Sequence, residues 1–159
     1  PYSEPGLGTT FKVLLPAAGT GVDDPAAGTA LGATRGNGET VLLVEDDPTV
    51  RRLTVSILQK LGYRVLAPWP VQEALRIALG PERNTVDLLV TDVVMPGMSG
   101  GDLVSALTLA RPQLRVLYVS GYTDDDVVRR GLVERGHAFL QKPFTPATLG
   151  AKIREALAG

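Results

Sequence analysis

The stretch VLLVEDDPTVRR, residues 41–52, decides the fold prediction because an aliphatic run passes directly into a helix start. Residues 41–45 are predicted to form a strand. Asp47 can cap a helix that begins at Pro48, where the missing backbone N–H is no loss. The apolar stripe of this helix would consist of Val50, Leu53, Ile57, Leu58 and Leu61. A strand followed at once by a helix is the first half of a βαβ unit.

The same succession of strand and helix signals recurs along the rest of the chain. Short apolar runs predict further strands at residues 64–67, 87–91, 115–120 and 138–140, and helical periodicity fills the intervals. Strands that alternate with helices are typical of a parallel sheet. We therefore predict an α/β fold built on five parallel strands.

Composition narrows the classes of function. The chain has 159 residues, of which 44% are hydrophobic, and a formal net charge of −1 from 16 basic and 17 acidic residues. The basic residues are spread along the chain among as many acidic ones, so we expect no positively charged surface that could hold a nucleic acid. No apolar run approaches the ~20 residues that span a bilayer, and the start lacks signal-peptide features. Without cysteine, disulfides and thiolate metal sites are excluded. We expect a cytoplasmic domain with no nucleic-acid partner.

A change of composition near residue 39 marks a boundary. Residues 17–38 are rich in Ala, Gly and Thr and contain no aromatic residue, which is typical of a flexible linker. As a Gly-rich coil they would span roughly 25 Å. We therefore predict that residues 39–159 form one domain.

Charged or hydroxyl side chains stand at the ends of four of the predicted strands. Asp46 and Asp47 follow the first strand, Asp92 follows the third, Ser120 ends the fourth, and Lys142 follows the fifth. Ligands of open α/β sheets bind just outside the carboxyl ends of the strands. We expect these five side chains to converge at that edge.

Carboxylates gathered in this way need a cation. Two of them ~4 Å apart at an effective dielectric near 20 repel by about 4 kcal/mol. Mg²⁺ prefers oxygen ligands and retains water, so it suits a site with few carboxylates. A carboxylate beside a metal ion and the ammonium of Lys142 is well placed to attack phosphorus. Asp92 is the best candidate for that acceptor.

Four segments of the sequence resemble, in order and spacing, the motifs of response-regulator receiver domains. They are VLLVEDDPTVRR, LLVTDVVMPGMSG, VLYVSGYTDD and FLQKPF, within residues 39–159. The resemblance implies a flavodoxin-like fold, a doubly wound five-stranded parallel sheet of order 2-1-3-4-5 with helices on both faces. It further implies that Asp92 is the phosphoacceptor, and that Lys142 and Ser120 contact the phosphoryl oxygens. The implied Mg²⁺ ligands are Asp46, Asp47, Asp92 and the main-chain carbonyl of Val94.

The same resemblance implies a conformational switch. The Ser120 hydroxyl would move toward the phosphoryl group, and the ring of Phe139 would turn inward beside Tyr122. Pro143 would follow Lys142 through a cis peptide bond. The surface that changes would comprise the fourth helix, fifth strand and fifth helix, roughly residues 124–157, through which the domain could dimerise. Val94 offers no group to orient water, so we expect slow loss of the phosphoryl group.

The start of the chain carries a second resemblance. YSEPGLGTTFKVLLP, residues 2–16, resembles the last glycine-rich turn and closing strand of the ATP-binding domain of sensor histidine kinases. Residues 1–16 would then be a remnant of that domain, and the whole would be the C-terminal end of a hybrid histidine kinase. The implied partners are the phosphohistidine of the upstream kinase and a histidine phosphotransfer protein. The rest of the nucleotide site is absent, so we expect no ATP binding and no direct membrane contact here.

Two other functions remain open at this stage. The domain could be an interaction module that regulates the upstream kinase without phosphate. It could also be a phosphatase with an aspartate nucleophile, although the Asp-x-Asp after the first strand is missing because Asp46 and Asp47 are adjacent. An acidic pair alone is more often a helix cap than a metal site.

Overall fold

The computed structural model describes residues 2–4, 8–10, 35–121 and 137–158. Two short strands near the start, β1 (Tyr2–Glu4) and β2 (Gly8–Thr10), pair antiparallel with Tyr2 opposite Thr10. The rest of the predicted closing strand, residues 11–16, lies outside the described residues.

The main body is the predicted parallel sheet. Its strands are β3 (Thr40–Val44), β4 (Arg64–Leu66), β5 (Leu88–Asp92), β6 (Arg115–Ser120) and β7 (Ala138–Gln141). They lie in the order β4-β3-β5-β6-β7, and every neighbouring pair is parallel. Counted from β3, this is the order 2-1-3-4-5, which confirms the prediction.

The helices of the described residues join these strands. They are α1 (Pro48–Lys60), α2 (Val71–Leu79), α3 (Gly100–Ala110) and α4 (Pro146–Ala158), with a 3₁₀ turn at Pro81–Thr85. As predicted, Asp47 caps α1 and Pro48 is its first residue. Gly62 follows the end of α1 with φ +91°, a left-handed conformation that glycine adopts without strain. None of these helices is long and apolar enough to cross a membrane.

Both faces of the sheet are covered. In β3, Leu42 and Val44 point to one core, which α2 and α3 complete. Val41 and Leu43 point to the other core, together with residues of α1 and α4. This alternation follows from the two-residue repeat of a strand, and burial on both faces explains why the strands are almost continuously apolar.

Four of the five strands end one residue away from the predicted position, and at the first and third strands the difference matters. The first strand covers Thr40–Val44 instead of residues 41–45, so Glu45 lies just beyond it. The third ends at Asp92 instead of residue 91. Asp87 directly precedes that strand, and its carboxylate accepts the N–H of Thr40, 2.7 Å away. Glu45 therefore stands at the sheet edge where ligands bind.

The last residues of the predicted linker pack against the domain. The N–H of Gly36 donates to the carbonyl of Leu61 at 2.8 Å. A Cβ at Gly36 would lie 2.6 Å from the ring of Tyr63, so only glycine fits this contact. The chain is thus held from residue 35 onward, while residues 17–34 lie outside the described residues.

Candidate functional site

Three carboxylates meet at the carboxyl edge of the sheet. Glu45 and Asp46 follow β3, and Asp92 is the last residue of the neighbouring strand β5. Each offers one oxygen, and these oxygens all lie within 4.8 Å of one another. The structure thus brings Asp46 and Asp92 together, as the sequence predicts. We refer to Glu45, Asp46 and Asp92 as the carboxylate group.

Lys142 reaches into the carboxylate group from the end of β7. Its Nζ lies 2.7 Å from Oε2 of Glu45 and 2.7 Å from Oδ2 of Asp92. Partial burial lowers the pKa of Lys142, but the hydrogen bonds that its ammonium donates to Asp92 and Glu45 outweigh this effect and raise that pKa above its usual value. The Lys142–Pro143 peptide bond is cis, as the receiver resemblance implies. This ammonium is therefore held charged beside Asp92.

Glu45 is the site residue that the sequence analysis missed. Only 4% of the residue is exposed. Burial raises the pKa of its carboxyl group above the ordinary value, although the Lys142 ammonium opposes that rise. The sequence does contain a signal for Glu45, because three acids stand in a row at residues 45–47. If Asp47 is used as the helix cap, Glu45 and Asp46 are the two acids left for the site.

Asp47 has a different role from the one implied for it. Its Oδ1 accepts the N–H groups of Thr49 at 2.7 Å and Val50 at 2.9 Å, which are the free donors at the start of α1. These hydrogen bonds lower the pKa of Asp47. Asp47 is exposed and does not belong to the carboxylate group that the described residues form. The pair at the site is Glu45 and Asp46.

Asp92 is anchored through both oxygens. Oδ2 accepts from Lys142, and Oδ1 accepts the N–H of Val94 at 3.1 Å. The side chain of Asp92 is 14% exposed, so its carboxylate is still accessible to a reactant. Val94 is 43% exposed and carries only a hydrocarbon side chain at this opening.

Two of the three predicted switch residues, Ser120 and Phe139, lie on neighbouring strands. Ser120 is buried at the end of β6, and its carbonyl accepts the N–H of Lys142 at 2.7 Å. Phe139, in β7, is half-buried against the core that α2 and α3 cover, and pairs in register with Tyr118. Tyr122 and most of the fourth predicted helix lie outside the described residues.

The donor set fits one hard divalent cation. Counted at their formal charges, three carboxylates and one ammonium carry a net charge of −2, which one Mg²⁺ would neutralise. All three donors are oxygens, as Mg²⁺ prefers, and three protein ligands leave positions for water and a phosphoryl oxygen. The site can therefore assemble a metal ion, an ammonium and a carboxylate nucleophile.

A known protein family matches most of this chain. The family described as response regulator receiver domain matches residues 41–154, a range that includes the whole carboxylate group and Lys142. The sensor kinase CckA of Brucella abortus is 37% identical over 167 aligned residues, which cover 98% of this chain. The chain spans only 17% of the length of that relative.

Solved structures agree with the sequence similarity. A response regulator receiver domain protein from Clostridium thermocellum superposes with a TM-score of 0.68 at 28% identity, covering 75% of this chain and 94% of that one. The receiver domain of the hybrid histidine kinase CckA superposes with a TM-score of 0.60 at 33% identity, covering 74% and 98%. The common fold therefore extends over nearly the whole of each neighbour.

Proposed function

Because this chain belongs to the response regulator receiver domain family, whose members act in two-component phosphorelay signalling, we propose that Asp92 accepts the phosphoryl group. The observation that supports this choice is the Lys142 ammonium, which lies 2.7 Å from Asp92 at the open end of the sheet. Of the three carboxylates, Asp92 alone receives both this charge and the N–H of Val94.

The proposed Mg²⁺ ligands are the carboxylates of Glu45, Asp46 and Asp92 and the main-chain carbonyl of Val94. Glu45 replaces Asp47 in this set because the Asp47 carboxylate is engaged by the start of α1. When bound, Mg²⁺ supplies positive charge to the phosphoryl oxygens during transfer. Glu45 and Asp46 would hold their carboxylates in fixed directions toward the ion, since their main chain joins a strand to a capped helix.

The proposed reaction moves one phosphoryl group between side chains. An oxygen of the Asp92 carboxylate attacks the phosphorus of a phosphohistidine, so an O–P bond forms. The P–N bond breaks, and its electron pair stays on the imidazole nitrogen. Lys142 pairs with the charge that arrives, and Ser120, buried at the end of β6, hydrogen-bonds a phosphoryl oxygen.

The proposed output is a change in the surface around β7 and α4. The Ser120 hydroxyl would turn toward the phosphoryl group, and the half-buried Phe139 ring would move into the space it leaves. Tyr122 and the fourth predicted helix, which follows it in the sequence, would complete this surface and allow dimerisation.

The proposed context is the C-terminal part of a hybrid histidine kinase in the cytoplasm. Similarity to the sensor kinase covers 98% of this chain and so extends to the segment before residue 41. That supports a kinase remnant at residues 1–16 followed by a linker at residues 17–38, of which Gly36 contacts Leu61 and Tyr63. The proposed phosphoryl donor is the upstream kinase, and the proposed acceptor is a histidine phosphotransfer protein.

Phosphorylation by acetyl phosphate tests the assigned acceptor. With Mg²⁺ present, the native chain is expected to gain one phosphoryl mass, and Asp92→Asn is expected to gain none. Asp47→Asn keeps the helix cap and should be phosphorylated normally. Uptake by a folded Asp92→Asn variant would refute the acceptor, and no uptake by the native chain would favour a phosphate-independent module.

A further inference from the structure

Arg51, in the first turns of α1, bends back over the loop that presents the metal ligands. Its Nη1 donates to the main-chain carbonyl of Glu45 at 2.6 Å and to that of Asp46 at 3.2 Å. One guanidinium therefore joins the backbone of the two residues that supply carboxylates from this loop. Arg51 is itself partly buried.

The same guanidinium also lies over an aromatic ring. The Cζ atom of Arg51 lies 5.5 Å from the centroid of Trp69, within the range of a cation–π contact. Trp69 belongs to the loop between β4 and α2, and the rings of Pro68 and Pro70 restrict the backbone on both sides of it. The loop after β4 is thus tied to the acidic loop after β3.

Arg51 leaves the carboxylates available. Within the described part of the chain, its hydrogen bonds go to carbonyls, and the cation that pairs with the carboxylate group is Lys142. A purely electrostatic partner of three acids would be expected to bind their oxygens directly. The guanidinium instead holds the main chain of Glu45 and Asp46 and engages neither of their carboxylates.

We propose that Arg51, held by Trp69, is a positioning residue that sets the main chain of Glu45 and Asp46 for Mg²⁺ binding. The proposal rests on the proposed metal site and extends it to two residues that contact no ligand. It further assigns a reporter, because Trp69 is the only tryptophan and lies against the side chain that holds the loop.

Mg²⁺ titration of the whole chain, followed by amide NMR shifts, distinguishes positioning from simple charge. Removing a positive charge near a cation site by Arg51→Gln should strengthen Mg²⁺ binding if only electrostatics matter. If Arg51 positions the loop, Mg²⁺ affinity should instead fall about tenfold, since its charged hydrogen bonds to both carbonyls disappear. Trp69→Leu removes the cation–π contact but leaves the hydrogen bonds of Arg51, and it should lower Mg²⁺ affinity about two- to fivefold.

The matched control is Arg52→Gln, which removes the same charge from the exposed neighbouring residue. Its Mg²⁺ affinity should equal or exceed that of the native chain. Thermal midpoints without Mg²⁺ show whether each variant is folded, and phosphorylation by acetyl phosphate should recover at saturating Mg²⁺. A further readout is Trp69 emission, which should change with Mg²⁺ in the native chain and remain constant in Arg51→Gln.

Each result separates the two proposals. If the native chain binds Mg²⁺ and folded Arg51→Gln binds it equally or more tightly, the positioning role is overturned while the metal site stands. Constant Trp69 emission through saturation of the native chain would also overturn it. If the native chain binds no Mg²⁺, the proposed metal site itself fails.

Discussion

Glu45, Asp46 and Asp47 are three consecutive acids with different environments. The main chain leaves β3 at Glu45 and begins α1 at Pro48, so successive side chains point in different directions. Glu45 is buried against Lys142, Asp46 is half-buried in the carboxylate group, and Asp47 is exposed over the start of the helix. Two of the three therefore remain for a cation.

The first prediction separates the neighbouring acids. Glu45→Gln should weaken Mg²⁺ binding at least tenfold, because a charged ligand is lost a few ångströms from the ion. Asp47→Asn should bind Mg²⁺ like the native chain, since asparagine is an equally good cap. Calorimetric titration measures both affinities. Weakened binding only in Asp47→Asn would restore Asp47 as the ligand.

The second prediction concerns the lifetime of the phosphoryl group. Val94 is exposed near Asp92 and offers no group that could orient an attacking water. Val94→Glu would supply a carboxylate and should shorten the half-life on the order of tenfold or more. Loss of phosphoryl mass after removal of acetyl phosphate gives the rate. Val94→Ala should match the native chain; a native lifetime as short as that of Val94→Glu would contradict the prediction.

At the scale of elements, α3 begins immediately beside the proposed acceptor. Ser99 and Asp102 form a reciprocal cap at its start, and the N–H of Gly100 donates to the carbonyl of Val93 at 3.0 Å. A Cβ on Gly100 would lie 2.1 Å from the main-chain oxygen of Asp92. The helix start can approach the strand end this closely because residue 100 has no side chain.

The third prediction follows from that approach. Gly100→Ala should destabilise the domain by about 1–3 kcal/mol, because the methyl group must displace the backbone of β5 or α3. Urea unfolding measures the change. Gly121→Ala is the control, since a Cβ there would meet no atom within 4 Å. Equal stability of the two variants would show that the contact relaxes without cost.

At the scale of the whole molecule, the two ends of the sheet have different roles. The carboxyl end carries the acids and Lys142, while the amino end holds the entry of the chain. There, Arg154 of α4 forms an ion pair with Glu39, which is 115 residues away in sequence. Three residues before Glu39, Gly36 packs on the ring of Tyr63, next to the turn at Gly62. At the amino end, the residues that lead into β3 are thus linked to the last helix, α4.

The fourth prediction is a pH dependence of stability at this end. Partial burial raises the pKa of Glu39, but backbone N–H groups and Arg154 lower it by more, so its folded pKa lies below the ordinary value. A depressed carboxyl pKa stabilises the fold at pH values above the unfolded pKa, and this contribution is lost as pH falls through the folded pKa. Glu39→Gln should therefore cost about 1 kcal/mol or less near neutral pH.

Thermal midpoints of the native chain and Glu39→Gln measure this effect. Their difference should be largest near pH 7 and should narrow as the native carboxyl group becomes protonated. Glu155→Gln removes the same charge from an exposed pair within one helix and is the control. A Glu39→Gln difference that is constant from pH 7 to pH 3 would contradict the linkage.

The sequence by itself determined the alternation of five strands with helices, the cap at Asp47 and the edge where the acids collect. These features depend on residues a few positions apart, because helical and strand periods and helix caps are local. The strand order came from the resemblance of the motifs to a family, and the sheet confirms it.

Only the tertiary structure decided which acids share the site. Lys142 contacts both Glu45 and Asp92, and Trp69 contacts Arg51. Each of these contacts joins residues that are far apart in sequence. They place Glu45, and not Asp47, beside Asp92. Local pattern fixes where a strand ends to within a residue or two, but one residue changes the direction of every side chain. The pairing of β3 with its neighbours β4 and β5 decides where β3 ends, and with it which acids lie together at the sheet edge.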